Sequence, residues 1–410
     1  RIHGAKNSVL PVLAACCLCT SPCVLHNCPD IEDVRTALAI LESLGCKTRR
    51  EGSTLCIDAS GLSKFCVEKR LAGKMRSSIL FLGALLARCG KAELALPGGC
   101  PLGERPIDLH VKSLAKLGAR FRFEKGILQA AWRERRDGDI FLSIPSVGAT
   151  ENLLLACAMG HGTVTLHGAA REPEITDLIG FLRAAGADIR GAGTSELTIC
   201  GAHKLHGATY TILPDRIETA TYLCMAAGCG GKVELQRCDG RLLAPVIERL
   251  REAGCKIRCG GSELVLKSSG KLTAVSPVTT APYPGFPTDA QAILMAAVLR
   301  AKGESVFQET VFERRFLHVP ELQKLGADIV LSGKTARVRG VAHLHGAMLR
   351  AEDLRGAAAL ITAGLLAEGE SEVLGLSHLA RGYENLEQNL KNLGAAIKSV
   401  DIPAPFVYNT

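Results

Sequence analysis

A helix ending in a Leu-Gly or Ala-Gly pair and followed by a small residue recurs six times along this 410-residue chain. The copies are Leu44-Gly45-Cys46, Leu117-Gly118-Ala119, Ala185-Gly186-Ala187, Ala253-Gly254-Cys255, Leu325-Gly326-Ala327 and Leu393-Gly394-Ala395, and successive glycines fall 68–73 residues apart. Glycine suits the left-handed position that ends a helix, because it has no Cβ to clash there. After each copy an alternating hairpin is expected, as in Ser262-Glu263-Leu264-Val265-Leu266, where every second side chain is apolar.

Upstream of each hairpin lies an Ala/Leu-rich helix beginning near Lys6, Arg76, Gly148, Arg216, Thr288 and Asp353, each leading to a short strand. Such apolar helices belong inside. Six units therefore fold most simply as two groups of three, with helices within and hairpins outside. Solenoid repeats usually run about 20–50 residues, shorter than this period. Helix N-termini carry unpaired N–H groups and about half a positive charge, so six of them aimed at one cleft make an anion site.

Composition narrows the class. The chain is 47% hydrophobic and 22% charged, which is globular, and its apolar runs break before the roughly 18 residues of a membrane span. The first residues lack a charged segment leading into an apolar core, so no signal peptide is expected. Seventeen cysteines, an odd number and scattered, read as reduced thiols packed as small hydrophobes in a cytoplasmic protein. Neither paired CxxC motifs nor HExxH occur, so no metal is expected. The +8 charge is dispersed, with one Trp and five Tyr, which favours an anionic small molecule over nucleic acid or a membrane as partner.

One loop stands apart. In Pro97-Gly98-Gly99-Cys100-Pro101-Leu102-Gly103-Glu104-Arg105-Pro106-Ile107-Asp108-Leu109, glycines and prolines forbid regular structure and present a single thiol beside an arginine, a setting that favours reactive sulfur.

With this loop the chain resembles the UDP-N-acetylglucosamine 1-carboxyvinyltransferase family over essentially its whole length. The shared motifs run in order: Gly4-Ala5-Lys6-Asn7, Met75-Arg76-Ser77-Ser78, the Cys100 loop, Ser146-Val147-Gly148-Ala149-Thr150, Arg171-Glu172-Pro173-Glu174, Asp215-Arg216-Ile217-Glu218-Thr219, Gly285-Phe286-Pro287-Thr288-Asp289, Asp353-Leu354-Arg355 and Arg381-Gly382-Tyr383-Glu384. The family making 5-enolpyruvylshikimate 3-phosphate is the alternative. It typically opens with Ser-Lys-Ser and lacks the cysteine loop. An RNA-end-processing or RNA-binding repeat protein is a third reading, disfavoured by the sparse aromatics.

The resemblance implies an inside-out α/β barrel fold in two domains of three βα repeats each, residues 6–213, and 1–5 plus 214–410, with the first strand joining the second domain and the site in the cleft between them. It implies phosphoenolpyruvate and UDP-N-acetylglucosamine as substrates, and no cofactor. Lys6, Arg105 and Arg381 are implied at the phosphate, Arg315 and Arg355 at the carboxylate, and Asn7 beside them at the acetamido group. The nucleotide side implied is Arg76, Arg105, Pro106, Ile107, Asp108, Leu109, Ser146, Val147 and Gly148, with Asp289 and Val311 at the sugar. Asp289 is implied as the base for the sugar 3-hydroxyl, and Lys6 and Arg381 as catalytic cations. Cys100 is implied as the proton donor to C3 or, when ionised, as a nucleophile open to the epoxide fosfomycin. Two departures stand out: Leu379-Ala380 precedes Arg381 where an acid is common, leaving that arginine without a neighbouring partner, and Glu313-Arg314-Arg315 carries an extra arginine.

Overall fold

The computed structural model describes residues 1–96 and 107–400. Five of the six glycines that close the repeat helices lead into hairpins, and all six have φ between 90° and 105°, the left-handed region in which any side chain would be strained. The hairpins pair Lys47–Glu51 with Thr54–Asp58, Arg120–Glu124 with Ile127–Ala131, Asp188–Arg190 with Glu196–Cys200, Lys256–Gly260 with Glu263–Ser268, and Asp328–Ser332 with Thr335–Arg339. Each second strand then pairs antiparallel with the strand that follows the buried helix of its own repeat, through registers such as Leu25↔Leu55, Leu94↔Leu128, Leu166↔Leu197, Leu235↔Leu264 and Phe307↔Ala336.

The sixth repeat's expected hairpin falls largely outside the described residues. After Gly394, residues 395–400 form no strand, and 401–410 lie outside the described residues. The sheet of this repeat holds only Met348–Arg350 and Glu372–Leu374 among the described residues, paired in parallel.

Six buried helices fill the interior: α1 (Lys6–Cys16), α2 (Leu80–Cys89), α3 (Val147–Cys157), α4 (Arg216–Cys229), α5 (Thr288–Ala297) and α6 (Leu354–Leu366). They are apolar on nearly every face, as a helix surrounded by protein must be. α2 is preceded by a 3-10 turn at Arg76–Ile79, and α3 opens at Val147 with Ser146 as its cap, one residue before the start expected at Gly148. α1, α2 and α3 pack with one another in one core running from Val9 to Ile212. α4, α5 and α6 pack in a second core, from Ala220 to Leu390. Hairpins and amphipathic helices such as Glu32–Ser43 and Pro173–Ala184 cover both from outside, which is the inside-out arrangement. No helix among the described residues is long and apolar enough to cross a membrane.

The chain passes between the cores twice, side by side. Ile2 lies in the second core, and its N–H bonds the Gln236 carbonyl at 2.9 Å. Residues 1–5 contribute a single bridge, Gly4 with Pro214, rather than the strand expected there, because the chain turns helical at Lys6. Ala5 N–H donates to Leu213 O at 2.7 Å and Asp215 N–H to His3 O at 2.8 Å, so the two crossings are tied together.

α2 and α3 touch where Gly83 meets Asn152. The Asn152 Oδ1 accepts from Gly83 N–H at 2.7 Å, and its Nδ2 donates to Ile79 O at 2.9 Å and to His110 Nδ1 at 2.8 Å. A Cβ on Gly83 would stand 2.3 Å from the Asn152 carbonyl oxygen, a backbone atom that cannot swing aside. Gly83→Ala is therefore expected to cost about 1–3 kcal/mol through overpacking, despite alanine's better helix propensity. Thermal denaturation should show a lower melting temperature, whereas Gly260→Ala, which meets nothing within 4 Å, should change it little. A Gly83→Ala protein as stable as the parent would mean the two helices can separate at no cost.

Candidate active site

The second core brings charged side chains together at its helix N-termini. Asp289 lies in the first turn of α5, where the helix dipole favours an acid. Its Oδ1 takes Arg315 Nη2 at 2.8 Å and its Oδ2 takes Arg355 Nη2 at 3.2 Å. Burial alone would raise the Asp289 carboxyl, but the Arg355 and Arg315 charges outweigh it, with Lys6 adding, and hold it well below the ordinary carboxylate range. It is therefore ionised and weakly basic in this arrangement.

The two arginines differ in what they have left to offer. Arg315 is 2% exposed, and its Nε and Nη2 also bond the Thr288 carbonyl at 3.2 and 3.0 Å, while Nη1 lies 3.7 Å from Asp353 Oδ1. Its fork is engaged inside the protein. Arg355 begins α6 behind the Asp353 cap, and its Nε and Nη1 are buried with no hydrogen-bond partner. Unpaired buried donors are costly, so this is where an anion has most to gain. Arg314, the extra arginine, points to solvent.

Lys6, at the first turn of α1, meets Arg381 across the space between the cores, and a carboxylate holds both. Asp33 Oδ2 lies 2.7 Å from Lys6 Nζ, and Asp33 accepts from Arg381 Nε at 2.9 Å and Nη2 at 3.3 Å. Thus Arg381 has a carboxylate partner although Ala380 precedes it; the acid comes from helix Glu32–Ser43 of the first core, not from the adjacent residue. Asn7 is exposed beside Lys6. Val311 is 43% exposed on the loop after strand Glu304–Gln308. Glu309, 1% exposed, fixes that loop to α5 by accepting from Val311 N at 2.7 Å, Phe312 N at 3.0 Å, Thr280 Oγ1 at 2.9 Å and Thr288 Oγ1 at 3.0 Å. Neither Asp33 nor Glu309 stood out in the sequence.

The first core brings a second group together at the start of α3. Ser146 caps that helix, its Oγ accepting from Ala149 N–H at 3.4 Å. Asp108 opens helix Asp108–Lys116 and pairs with Lys112 at 3.0 Å, with Ile107 and Leu109 half-buried beside it. His110 of the same helix reaches Gly148, where a Cβ would stand 3.2 Å from the ring. Arg76, half-buried, acts on this histidine, which burial and then the Arg76 charge push down to about 4. Ile107–Leu109, Arg76 and Ser146–Gly148 thus share one locality. Cys100, Arg105 and Pro106 lie outside the described residues, so no position is given for them.

Comparison with known proteins places these residues in a family. The family described as EPSP synthase (3-phosphoshikimate 1-carboxyvinyltransferase) matches residues 1–390. A protein named UDP-N-acetylglucosamine 1-carboxyvinyltransferase 2 from Caldanaerobacter subterraneus is 44% identical over 97% of this chain and 95% of its own length. One named UDP-N-acetylglucosamine 1-carboxyvinyltransferase from Gloeobacter violaceus is 46% identical over 97% and 87%. The chain belongs to the enolpyruvyl transferase family. Among solved structures, the enolpyruvyl transferase NikO from Streptomyces tendae superposes with a TM-score of 0.89 at 30% identity, covering 98% of this chain and 96% of that one. An EPSP synthase from Acinetobacter baumannii gives 0.74 at 18% identity over 98% and 96%, a likeness of fold. The inside-out α/β fold expected from the sequence is the fold of this family.

His110 supplies a pH test of this locality. Neutral when folded down to about pH 4 but titrating near 6.5 when unfolded, it makes the unfolded state bind more protons between those values. Its contribution to stability is therefore lost as pH falls through that window. In His110→Gln, whose amide can still meet Asn152, the term is absent. The difference in melting temperature between parent and variant should shift in the variant's favour from pH 7.5 to pH 5. A difference independent of pH would place the His110 proton elsewhere.

Proposed function

We propose that this enzyme transfers the enolpyruvyl group of phosphoenolpyruvate to the 3-hydroxyl of UDP-N-acetylglucosamine with release of phosphate, the first committed step of peptidoglycan synthesis, in the cytoplasm. The observation that carries the reading is the 44–46% identity, across nearly the whole chain, to relatives bearing that enzyme's name. The cation-rich cleft supports it, since phosphoenolpyruvate presents two anionic groups to bind at once.

On this reading residues 6–213 form one domain and 1–5 with 214–410 the other, and the substrates bind between them. Lys6, Arg381 and Arg105 receive the phosphate. Arg355, with Arg315 behind it, receives the carboxylate, where a guanidinium fork suits two oxygens. The nucleotide lies along Arg76, Arg105–Leu109 and the start of α3 at Ser146–Gly148, whose N–H groups suit a diphosphate. Asn7 meets the acetamido group, and Val311 and Asp289 flank the sugar.

The chemistry is addition, then elimination. Cys100 delivers a proton to C3, making C2 electrophilic, and the sugar hydroxyl attacks C2 while Asp289 takes its proton. Loss of phosphate together with a C3 proton restores the double bond. An ordinary thiol, with pKa about 8.5, holds its proton at neutral pH as this step requires. Asp289 is too weak a base while two guanidinium groups hold it. A substrate carboxylate that draws on Arg355 loosens that hold and returns basicity to Asp289 when it is needed.

The decisive assay is phosphate release from phosphoenolpyruvate with each acceptor in turn. Turnover with UDP-N-acetylglucosamine is expected; turnover with shikimate 3-phosphate alone would overturn the reading. Asp289→Asn should keep UDP-sugar binding within a few fold and lower turnover by roughly 10²–10⁴, the span for losing a positioned base. Turnover within tenfold of the parent would reduce Asp289 to a structural counter-ion. Cys100→Asp should remain active with a lower pH optimum and resist epoxide inactivation, while Cys100→Ala should lose most turnover. A fully active Cys100→Ala would remove the thiol from the mechanism.

A further inference from the structure

Asp33 is the carboxylate through which both phosphate-side cations pass. It belongs to helix Glu32–Ser43 of the first core, and its side chain is 4% exposed. One oxygen faces Lys6 Nζ at 2.7 Å; the pair of oxygens faces Arg381 Nε and Nη2 in the two-pronged geometry that fixes a guanidinium plane. Arg381 comes from the last residue of a 3-10 turn, Leu376–Arg381, in the second core. The residue before it is Ala380. A next-door acid, had it been present, could not have joined the two cores in this way.

We propose that Asp33 is a positioning residue for the phosphate leaving group: it aligns Lys6 and Arg381 across the cleft and keeps Lys6 protonated so that both present their charge to one site. The proposal rests on the function proposed above for its substrate and on the geometry alone for its cation pair.

The charge environment makes the second half of this role concrete. Lys6 is faced by Arg381 from the 3-10 turn and by Arg355 from α6, both positive, and by Asp33 and by Asp289 of α5, both negative. Asp215, at the cap of α4, takes the Lys6 backbone N–H at 3.2 Å rather than its ammonium. Burial pushes the Lys6 ammonium below the ordinary lysine range, Asp33 opposes this, and the two arginines add to it. Asp33 is thus the main brake on loss of the Lys6 proton. Removing its charge should leave the fold's shape intact in Asn but let Lys6 deprotonate at lower pH. A neutral amine binds a phosphate poorly, so affinity for phosphoenolpyruvate should fall as pH rises.

The test compares the parent with Asp33→Asn and Asp33→Glu. Asp33→Asn should raise KM for phosphoenolpyruvate roughly 10–100-fold with KM for UDP-N-acetylglucosamine within about threefold. Its KM for phosphoenolpyruvate should begin climbing at lower pH than the parent's. Asp33→Glu, which restores the charge, should recover much of the loss and the parent's pH profile. A merely structural strap would change melting temperature and both KM values together without moving the pH dependence. Calorimetric titration of inorganic phosphate into the same three proteins at pH 6.5 and 9 reads the cation pair without turnover. If the parent fails to use UDP-N-acetylglucosamine but phosphate binding shows the same order and pH trend, the functional reading falls and Asp33's role stands. Phosphate affinity in Asp33→Asn equal to the parent's at both pH values overturns the proposal, as does an unchanged KM pH profile.

Discussion

Four cations, Lys6, Arg381, Arg315 and Arg355, converge where the two cores meet, and their mutual repulsion in a partly buried space is what the remaining structure has to accommodate. Two carboxylates do this. Asp33 takes Lys6 and Arg381, and Asp289 takes Arg315 and Arg355. A buried charge without a partner costs far more than a surface one, so this division is a condition of folding as well as of binding. It also sets terms for any incoming anion, which must compete with a carboxylate already in place or find donors left unused. Arg355 Nε and Nη1 are such donors.

The buried helices are what make the convergence possible. Because α1 to α6 are apolar around their circumference, only their ends can carry charge, and it is there that Lys6, Arg216, Asp289 and Arg355 sit. Asp215 and Asp353 cap α4 and α6, satisfying their first N–H groups with side-chain oxygens. Between the cores, Glu174 of the first holds Arg216 of the second at 2.9 and 3.2 Å, and Glu172 accepts from Tyr283 N–H at 3.2 Å. Glu151 is pushed well above the ordinary carboxylate range by burial, with the Glu174 and Glu172 charges adding.

Much of the architecture was legible because its signals are local. A glycine held at positive φ ends a helix wherever it occurs, and an apolar helix announces burial in its own composition. The sixth hairpin, expected after Gly394, falls partly outside the described residues, of which 395–400 form no strand. The site was legible as a set of residues but not as a set of partnerships. The Leu379-Ala380 departure put a local partner for Arg381 in doubt, and the partner found, Asp33, lies 348 residues away. Asp33 itself reads as an ordinary acid in the first turn of an amphipathic helix, where the dipole alone would justify it. Glu309 is a lone acid after an apolar strand, and nothing in its spacing reveals four donors around it. Asp289 was legible as a candidate base, yet the two guanidinium groups that hold its basicity down come from residues 26 and 66 positions away.

The two chain crossings give Lys6 a particular place among the described cations. Gly4 bridges Pro214, Ala5 bonds Leu213, and Asp215 both accepts the Lys6 N–H and donates its own to His3 O. The backbone at Lys6 is therefore anchored to the second core while its side chain is anchored to Asp33 in the first. Among the described residues these two crossings are the covalent links between the cores.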